Sequence, residues 1–143
     1  MSWKEHYQQH LMSAEEAVKH IQSGNRAVVA HACGEPSYLL DAMVANASAY
    51  KDVEIVHMVA MGKGEYCKPE YAANFRHNAF FVGGSTRAAI EEGRGDFTPS
   101  FFFEVPRQFS TTMPVDVAMV MVTPPDENGM CSLGVSVDYT QEA

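Results

Sequence analysis

The chain has 143 residues, of which 46% are hydrophobic and 20% charged, as is typical of one globular domain with its own core. Ten Lys and Arg against 18 Asp and Glu give a formal net charge of −8, which argues against non-specific nucleic-acid binding. The chain has neither a run of 18 apolar residues nor a leader with an apolar centre, so we expect a cytoplasmic protein that contacts no membrane. Three widely spaced cysteines argue against a four-thiolate site, and no other ligand spacing indicates a metal.

The first 60 residues are predicted to contain two helices that alternate with two strands. A capping box formed by Ser13 and Glu16 begins the first helix, and Gly24 ends it. Pro36 opens the second helix, whose apolar residues recur at the spacing of one helix face. Two short apolar runs are predicted to be buried strands, residues 26–31 and 53–60.

Apolar runs in the second half predict four further strands, residues 79–82, 100–103, 115–122 and 133–137. A helix follows the first of them and extends to about Glu92. Near-continuous apolar strands that alternate with helices are typical of an α/β fold with an open, mostly parallel sheet and helices on both faces. Residues 138–143 resemble the start of a helix without its body, so we expect the single domain of residues 1–143 to belong to a longer protein.

In an open parallel sheet, ligands bind beyond the carboxyl ends of the strands, so the loops there are candidate binding loops. In the first loop, a glycine beside a helix start exposes backbone N–H groups, although a simple tight turn is an equally good interpretation. The candidate residues of this loop are Gly34, Glu35 and Pro36. The second loop lacks the spacing of a Walker phosphate loop and is equally compatible with a flexible surface loop. Its candidate residues are Gly62, Gly64 and Glu65.

The loop after the predicted third strand offers backbone amides and two hydroxyl groups to an anion. Its candidate residues are Gly84, Ser85 and Thr86. Alternatively, one of these hydroxyls caps the following helix. Asn128 and Gly129 form a tight turn after residues 115–122, which makes this turn the fourth candidate loop.

Seven segments of the chain occur in an order that is specific when they are taken together. They are His31–Pro36, His57–Tyr66, Phe75–His77, Phe81–Arg87, Phe101–Pro106, Val115–Val120 and Pro125–Tyr139. This set resembles the amino-terminal domain of the acetyl-CoA hydrolase/transferase family. The likeness is strongest to its 4-hydroxybutyrate CoA-transferases and butyryl-CoA:acetate CoA-transferases.

The resemblance implies one half of a two-domain α/β enzyme that binds acyl-CoA in the cleft between its halves. In the family's reaction a glutamate carboxylate attacks the thioester to give an acyl-glutamyl anhydride and then a glutamyl-CoA thioester, from which an incoming carboxylic acid collects the CoA. The nucleophilic glutamate and the glycine-rich CoA-binding motif belong to the family's second half. We therefore expect this chain to contain no catalytic residue and to be inactive alone. CoA and acyl-CoA are then substrates rather than bound cofactors, and the expected partners are a short-chain carboxylate and the carboxyl-terminal half.

By the same resemblance, the loops form one wall of the cleft and shape the acyl or carboxylate pocket. The implied substrate-binding residues are Gly34, Glu35, Pro36, Gly62, Gly64, Glu65, Gly84, Ser85, Thr86, Asn128 and Gly129. One alternative is half of an acyl-CoA hydrolase, in which water replaces the acceptor acid. The other is a non-catalytic module for ligand binding or assembly. Because a surface that faces another domain is apolar, we also expect an exposed apolar patch, with Phe101–Phe103 among its candidates, or self-association into a homo-oligomer.

Overall fold

A computed structural model describes residues 2–143 and contains one five-stranded sheet in which all paired strands are parallel. The strands are β1 Arg26–Val29, β2 Val53–His57, β3 Phe75–Ala79, β4 Gly95–Phe97 and β5 Val117–Met119. Their order across the sheet is β4-β3-β2-β1-β5, so β1 lies between β2 and β5. The loops that follow β1 and β2 therefore leave the sheet side by side.

The α-helices are α1 Trp3–His10, α2 Ala14–Ala17, α3 Ser37–Ala45, α4 Arg87–Glu91 and α5 Val105–Phe109. The predicted capping box is present, since Ser13 Oγ accepts the Glu16 amide at 3.2 Å and Glu16 Oε2 accepts the Ser13 amide at 3.1 Å. The helix it begins is short and continues as a 3-10 turn, Val18–His20. A second capping box, between Ser2 and Glu5, begins α1, which the sequence analysis did not predict.

The predicted α/β fold is confirmed, because helices cover both faces of the sheet. Side chains alternate along β1, so that Ala27 and Val29 face one core while Val28 faces the other. The first core is closed by α2, α3 and α4. The second is closed by α5 and by the 3-10 turn Asp138–Gln141. Within residues 2–143, no helix is both long and apolar enough to cross a membrane.

Two predicted strands of the middle region are wrong. The third strand covers Phe75–Ala79 instead of residues 79–82, and it buries the polar side chains of His77 and Asn78. Residues 100–103 form no strand, because the chain enters a 3-10 turn there and continues into α5, whose first turn accommodates Pro106. The fourth strand is instead the short segment Gly95–Phe97.

The strands predicted near the carboxyl terminus are also corrected. β5 is shorter than residues 115–122, because only Val117–Met119 pair with β1. Residues 133–137 form no strand, and the helix start predicted at residue 138 is a 3-10 turn. That turn is fixed to the sheet by the Tyr139 hydroxyl, which donates to the Val29 carbonyl oxygen at 2.5 Å.

Large apolar side chains lie exposed in segments that follow the strands. Phe101 and Phe103 are 71% and 79% exposed and stack on each other with ring centroids 5.9 Å apart. Met61 and Phe81, which follow β2 and β3, are also exposed. These side chains lie beyond the carboxyl ends of the strands, as do the candidate binding loops.

Candidate functional site

The loops that follow β1 and β2 are joined by the carboxylate of Glu35. Its Oε2 accepts hydrogen bonds from the backbone N–H groups of Met61 at 3.0 Å and Gly62 at 2.9 Å. Its Oε1 accepts a longer hydrogen bond from Ser37 Oγ at 3.3 Å. The side chain of Glu35 is only 6% exposed, so its carboxylate is a fixed part of the site.

Two glycines permit this close approach of the loops. A Cβ atom at Gly62 would lie 2.0 Å from Glu35 Oε1, so any side chain there would displace the carboxylate. Gly64 has a φ of +62°, and a Cβ atom there would lie 2.9 Å from the carbonyl oxygen of Ser85. The loops of residues 34–36, 62–65 and 83–86 therefore contact one another at the carboxyl end of the sheet.

The third of these loops uses its polar groups within the protein. Ser85 Oγ donates to the carbonyl oxygen of Ala60 at 3.0 Å, which ties this loop to the end of β2. Thr86 is 1% exposed, and its hydroxyl has no hydrogen-bond partner in the described structure. Thr86 occupies the N-cap position of α4, as the alternative interpretation expects, but its hydroxyl makes no capping hydrogen bond. Gly84 is exposed, with open space where a side chain would be.

Two buried polar side chains, those of His57 and Tyr66, lie behind Glu35. His57 Nδ1 is 2.9 Å from the Tyr66 hydroxyl, and His57 Nε2 is 3.7 Å from Glu35 Oε2. Burial, with smaller contributions from the neighbouring His77 and His31, lowers the pKa of His57 to about 3, so this imidazole is neutral. Burial also raises the pKa of Tyr66 well above its ordinary value. Tyr66 therefore keeps its proton and forms a hydrogen bond with His57 Nδ1. His57 Nε2 lies on the side of Glu35 and has no hydrogen-bond partner in the described structure.

A pocket of about 200 Å³ opens between α3 and the loop that follows β2. Its lining consists of Glu35, Ser37, Leu40, Asp41, Val44, Gly62, Lys63, Gly64, Glu65 and Tyr66. Three carboxylates thus face one ammonium group. That ammonium, on Lys63, lies 3.0 Å from Asp41 Oδ2, while Glu65 pairs with Lys68 at 2.5 Å. The wall carries net negative charge, and the described residues contain no group of His, Cys, Asp or Glu placed to hold a metal.

Asn128 and Gly129 lie apart from this pocket. Their turn is organised by Asp126, whose Oδ1 accepts the backbone N–H groups of Asn128 at 2.8 Å and Met130 at 2.9 Å. A Cβ atom at Gly129 would lie 2.8 Å from the ring of Trp3, so the turn packs against α1. The pocket lining includes neither Asn128 nor Gly129.

The first loop contributes structural residues as well as Glu35. Gly34 is buried, and a Cβ atom there would lie 2.6 Å from the Cβ atom of Ser136. Pro36 directly precedes α3, as predicted. Six residues of the pocket lining are absent from the predicted set: Ser37, Leu40, Asp41, Val44, Lys63 and Tyr66. Helical spacing could have identified Asp41, which lies one turn after the first residue of α3 and so on the same helix face.

Comparison with known proteins finds matches that cover nearly the whole chain. The family model described as the acetyl-CoA hydrolase/transferase N-terminal domain matches residues 1–143. The chain is 54% identical to the 4-hydroxybutyrate coenzyme A transferase of Clostridium kluyveri, over 100% of this chain and 34% of that protein. It is 32% identical to the butyryl-CoA:acetate CoA-transferase of Anaerostipes caccae, over 97% of this chain and 32% of that protein. The crystal structure of RipA from Yersinia pestis superposes with a TM-score of 0.88 at 28% identity, over 99% of this chain and 36% of RipA. The chain spans about a third of the length of these proteins.

Proposed function

Because this chain belongs to the acetyl-CoA hydrolase/transferase family, we propose that it is the amino-terminal half of a CoA-transferase. The enzyme moves CoA between a short-chain acyl-CoA and a carboxylic acid of the 4-hydroxybutyrate, butyrate and acetate class. The 54% identity to a 4-hydroxybutyrate CoA-transferase supports this substrate class. The second half supplies the nucleophilic glutamate and most of the CoA-binding surface, and CoA is a substrate rather than a resident cofactor. The free cysteines Cys33, Cys67 and Cys131 suit a reducing compartment, which supports a cytoplasmic location.

The observation that carries the proposal is the pocket wall built by the three interlocked loops. Its volume of about 200 Å³ is smaller than the roughly 300–1,000 Å³ of sites that enclose drug-sized ligands, so it suits a short acyl chain or carboxylate. We assign acyl contacts to the loops that contain Glu35, Gly62 and Gly64, with Ser85 supporting them from the third loop. A role for the turn at Asn128–Gly129 stays a prediction, because that turn packs against α1.

The acidic side chains of the loops support the proposal that the chain is inactive alone. A nucleophilic carboxylate must be free to attack the thioester carbon. Glu35 instead accepts two backbone amides and a hydroxyl, and Glu65 is paired with Lys68. Glu104 Oε2 accepts the amide of Phe101 at 3.2 Å. Each of these carboxylates already has a structural partner.

CoA exchange between butyryl-CoA and labelled acetate tests the proposal. The chain is assayed alone and together with the carboxyl-terminal part of the Clostridium kluyveri relative, and that part alone is the control. We expect exchange only when both halves are present. Exchange by the chain alone would overturn the site assignment. Release of CoA that does not depend on acetate would identify a hydrolase, and acyl-CoA binding without any turnover in the pair would identify a non-catalytic module.

We also propose that the chain self-associates through its exposed aromatic side chains. Phe101 and Phe103 are more than two-thirds exposed, and such a patch on a protein surface marks an interaction site. Sedimentation velocity at increasing concentration should show reversible association that the Phe101→Ser, Phe103→Ser double variant weakens. A chain that stays monomeric at high concentration contradicts this proposal.

A further inference from the structure

Glu35 is the most buried of the three carboxylates in the pocket wall. Its side chain is 6% exposed, whereas those of Asp41 and Glu65 are 51% and 32% exposed. Water and salt screen an exposed charge far more than a buried one. A ligand in this pocket therefore experiences the charge of Glu35 more strongly than the other two.

No cation neutralises Glu35 among residues 2–143. The basic side chain within 4.0 Å of its carboxylate is His57, and this imidazole is neutral because burial lowers its pKa to about 3. Lys63 lines the same pocket but is paired with Asp41 at 3.0 Å. Lys68 is paired with Glu65 at 2.5 Å.

The Glu35 carboxylate is also held in place by its hydrogen bonds. Displacing it would leave the N–H groups of Met61 and Gly62 without their acceptor. On the other side, Oε1 lies so close to Gly62 that a methyl group would not fit between them. The position of the carboxylate in the pocket wall is therefore fixed.

We propose that Glu35 is a specificity-determining residue that rejects acids carrying a second carboxylate and accepts neutral or hydroxylated short chains. The inference rests on the proposed function and specifies which acids the pocket takes. Oε1 accepts only the long hydrogen bond from Ser37 at 3.3 Å, so it retains capacity for a hydroxyl donor at the far end of a substrate chain. A carboxylate at the same position would face a second carboxylate with no proton or cation between them.

The test is Glu35→Gln in the enzyme reconstituted from both halves. The side-chain carbonyl oxygen of glutamine can accept both loop amides as Oε2 does, so the wall keeps its hydrogen bonds while the charge is removed. Initial rates with acetyl-CoA as donor give kcat/KM for butyrate, 4-hydroxybutyrate and succinate as acceptors. We expect the succinate-to-butyrate ratio to rise about tenfold, as removal of like-charge repulsion in a partly buried pocket implies. The 4-hydroxybutyrate-to-butyrate ratio should fall severalfold.

Glu91→Gln is the matched control, because it makes the same chemical change on the exposed surface of α4, outside the pocket. Its acceptor ratios should stay within twofold of the unmodified enzyme. An active Glu35→Gln variant with unchanged ratios overturns the inference and leaves the proposed function intact. If that variant does not fold, the test is the ratio of kcat/KM for butyrate and succinate in the unmodified enzyme. Equal values overturn the inference, and at least a tenfold preference for butyrate supports it. An unmodified enzyme that transfers CoA to no acid overturns both proposals.

Discussion

Replacement of Gly62 by alanine is expected to destabilise the protein by about 3 kcal/mol. The new Cβ atom would lie 2.0 Å from Glu35 Oε1, so the carboxylate must leave its position. It then loses the backbone amides of Met61 and Gly62, and each hydrogen bond to a charged group contributes about 1.5–3 kcal/mol. We take the lower part of that range because Met61 is 71% exposed and water can solvate the amide released there.

Urea unfolding followed by circular dichroism measures this cost, and thermal unfolding should show a fall in Tm of about 10 °C for a chain of this size. Gly84→Ala is the matched control. A Cβ atom at Gly84 meets nothing within 4 Å, so that variant should stay within about 0.5 kcal/mol of the unmodified protein.

A double-mutant cycle identifies the physical cause of the loss. In a Glu35→Ala background the carboxylate is absent, so the cost of Gly62→Ala should shrink below about 1 kcal/mol. Equal costs in the two backgrounds would show that the methyl group does not meet Glu35. A Gly62→Ala variant as stable as Gly84→Ala would refute the reasoning altogether.

Three further predictions concern buried groups. Tyr66→Phe should lower the unfolding free energy by about 1–3 kcal/mol in urea titrations, because His57 Nδ1 loses its partner; equal stability would contradict this bond. Stability should fall as pH drops from 6.5 towards 5, by about 1 kcal/mol per pH unit for each of His57 and His77. Their pKa values are lowered to about 3 and about 4, so the unfolded chain takes up protons that the native state does not; a flat profile over this range would show that they are protonated in the fold. Burial raises the pKa of Cys67 to about 12, so iodoacetamide followed by mass spectrometry should label exposed Cys33 well before Cys67.

The parts of the fold that the sequence could predict depend on local signals. The capping box at Ser13 and the proline before α3 are interactions within a few residues, and both occur as predicted. The strands β1 and β2 are apolar runs, which is typical of strands buried on both faces.

The errors arise where distant partners decide the local structure. β3 contains buried Asn78, whose side-chain amide donates to Glu54 on the neighbouring strand at 2.7 Å, and no local pattern shows that this partner exists. β5 ends early because its length is set by the extent of β1. Phe101–Phe103 have high strand propensity, but they leave the sheet and remain exposed because the chain turns there into α5.

The pocket could likewise be predicted only in part, because its contacts join residues that are far apart in the sequence. The sequence indicates that Glu35 lies in a binding loop, but its role depends on the amides of Met61 and Gly62, far along the chain. His57 alone is indistinguishable from an ordinary core histidine. Its significance comes from Tyr66 on one side and the carboxylate on the other, an arrangement that only the folded chain creates.

The distribution of cations in this chain bears on the division of work that the proposed function assigns to two halves. Of the ten Lys and Arg residues, six are within 4.0 Å of a carboxylate of this chain, including Arg26 with Glu54 and Lys63 with Asp41. These cations are already partly neutralised, and the net charge of −8 repels polyanions at long range. Under the proposed function, the cations that bind the phosphates of CoA are therefore expected in the second half. In that proposal the present chain contributes a rigid, acidic pocket wall, which suits the selection of the acyl group and not the capture of the nucleotide.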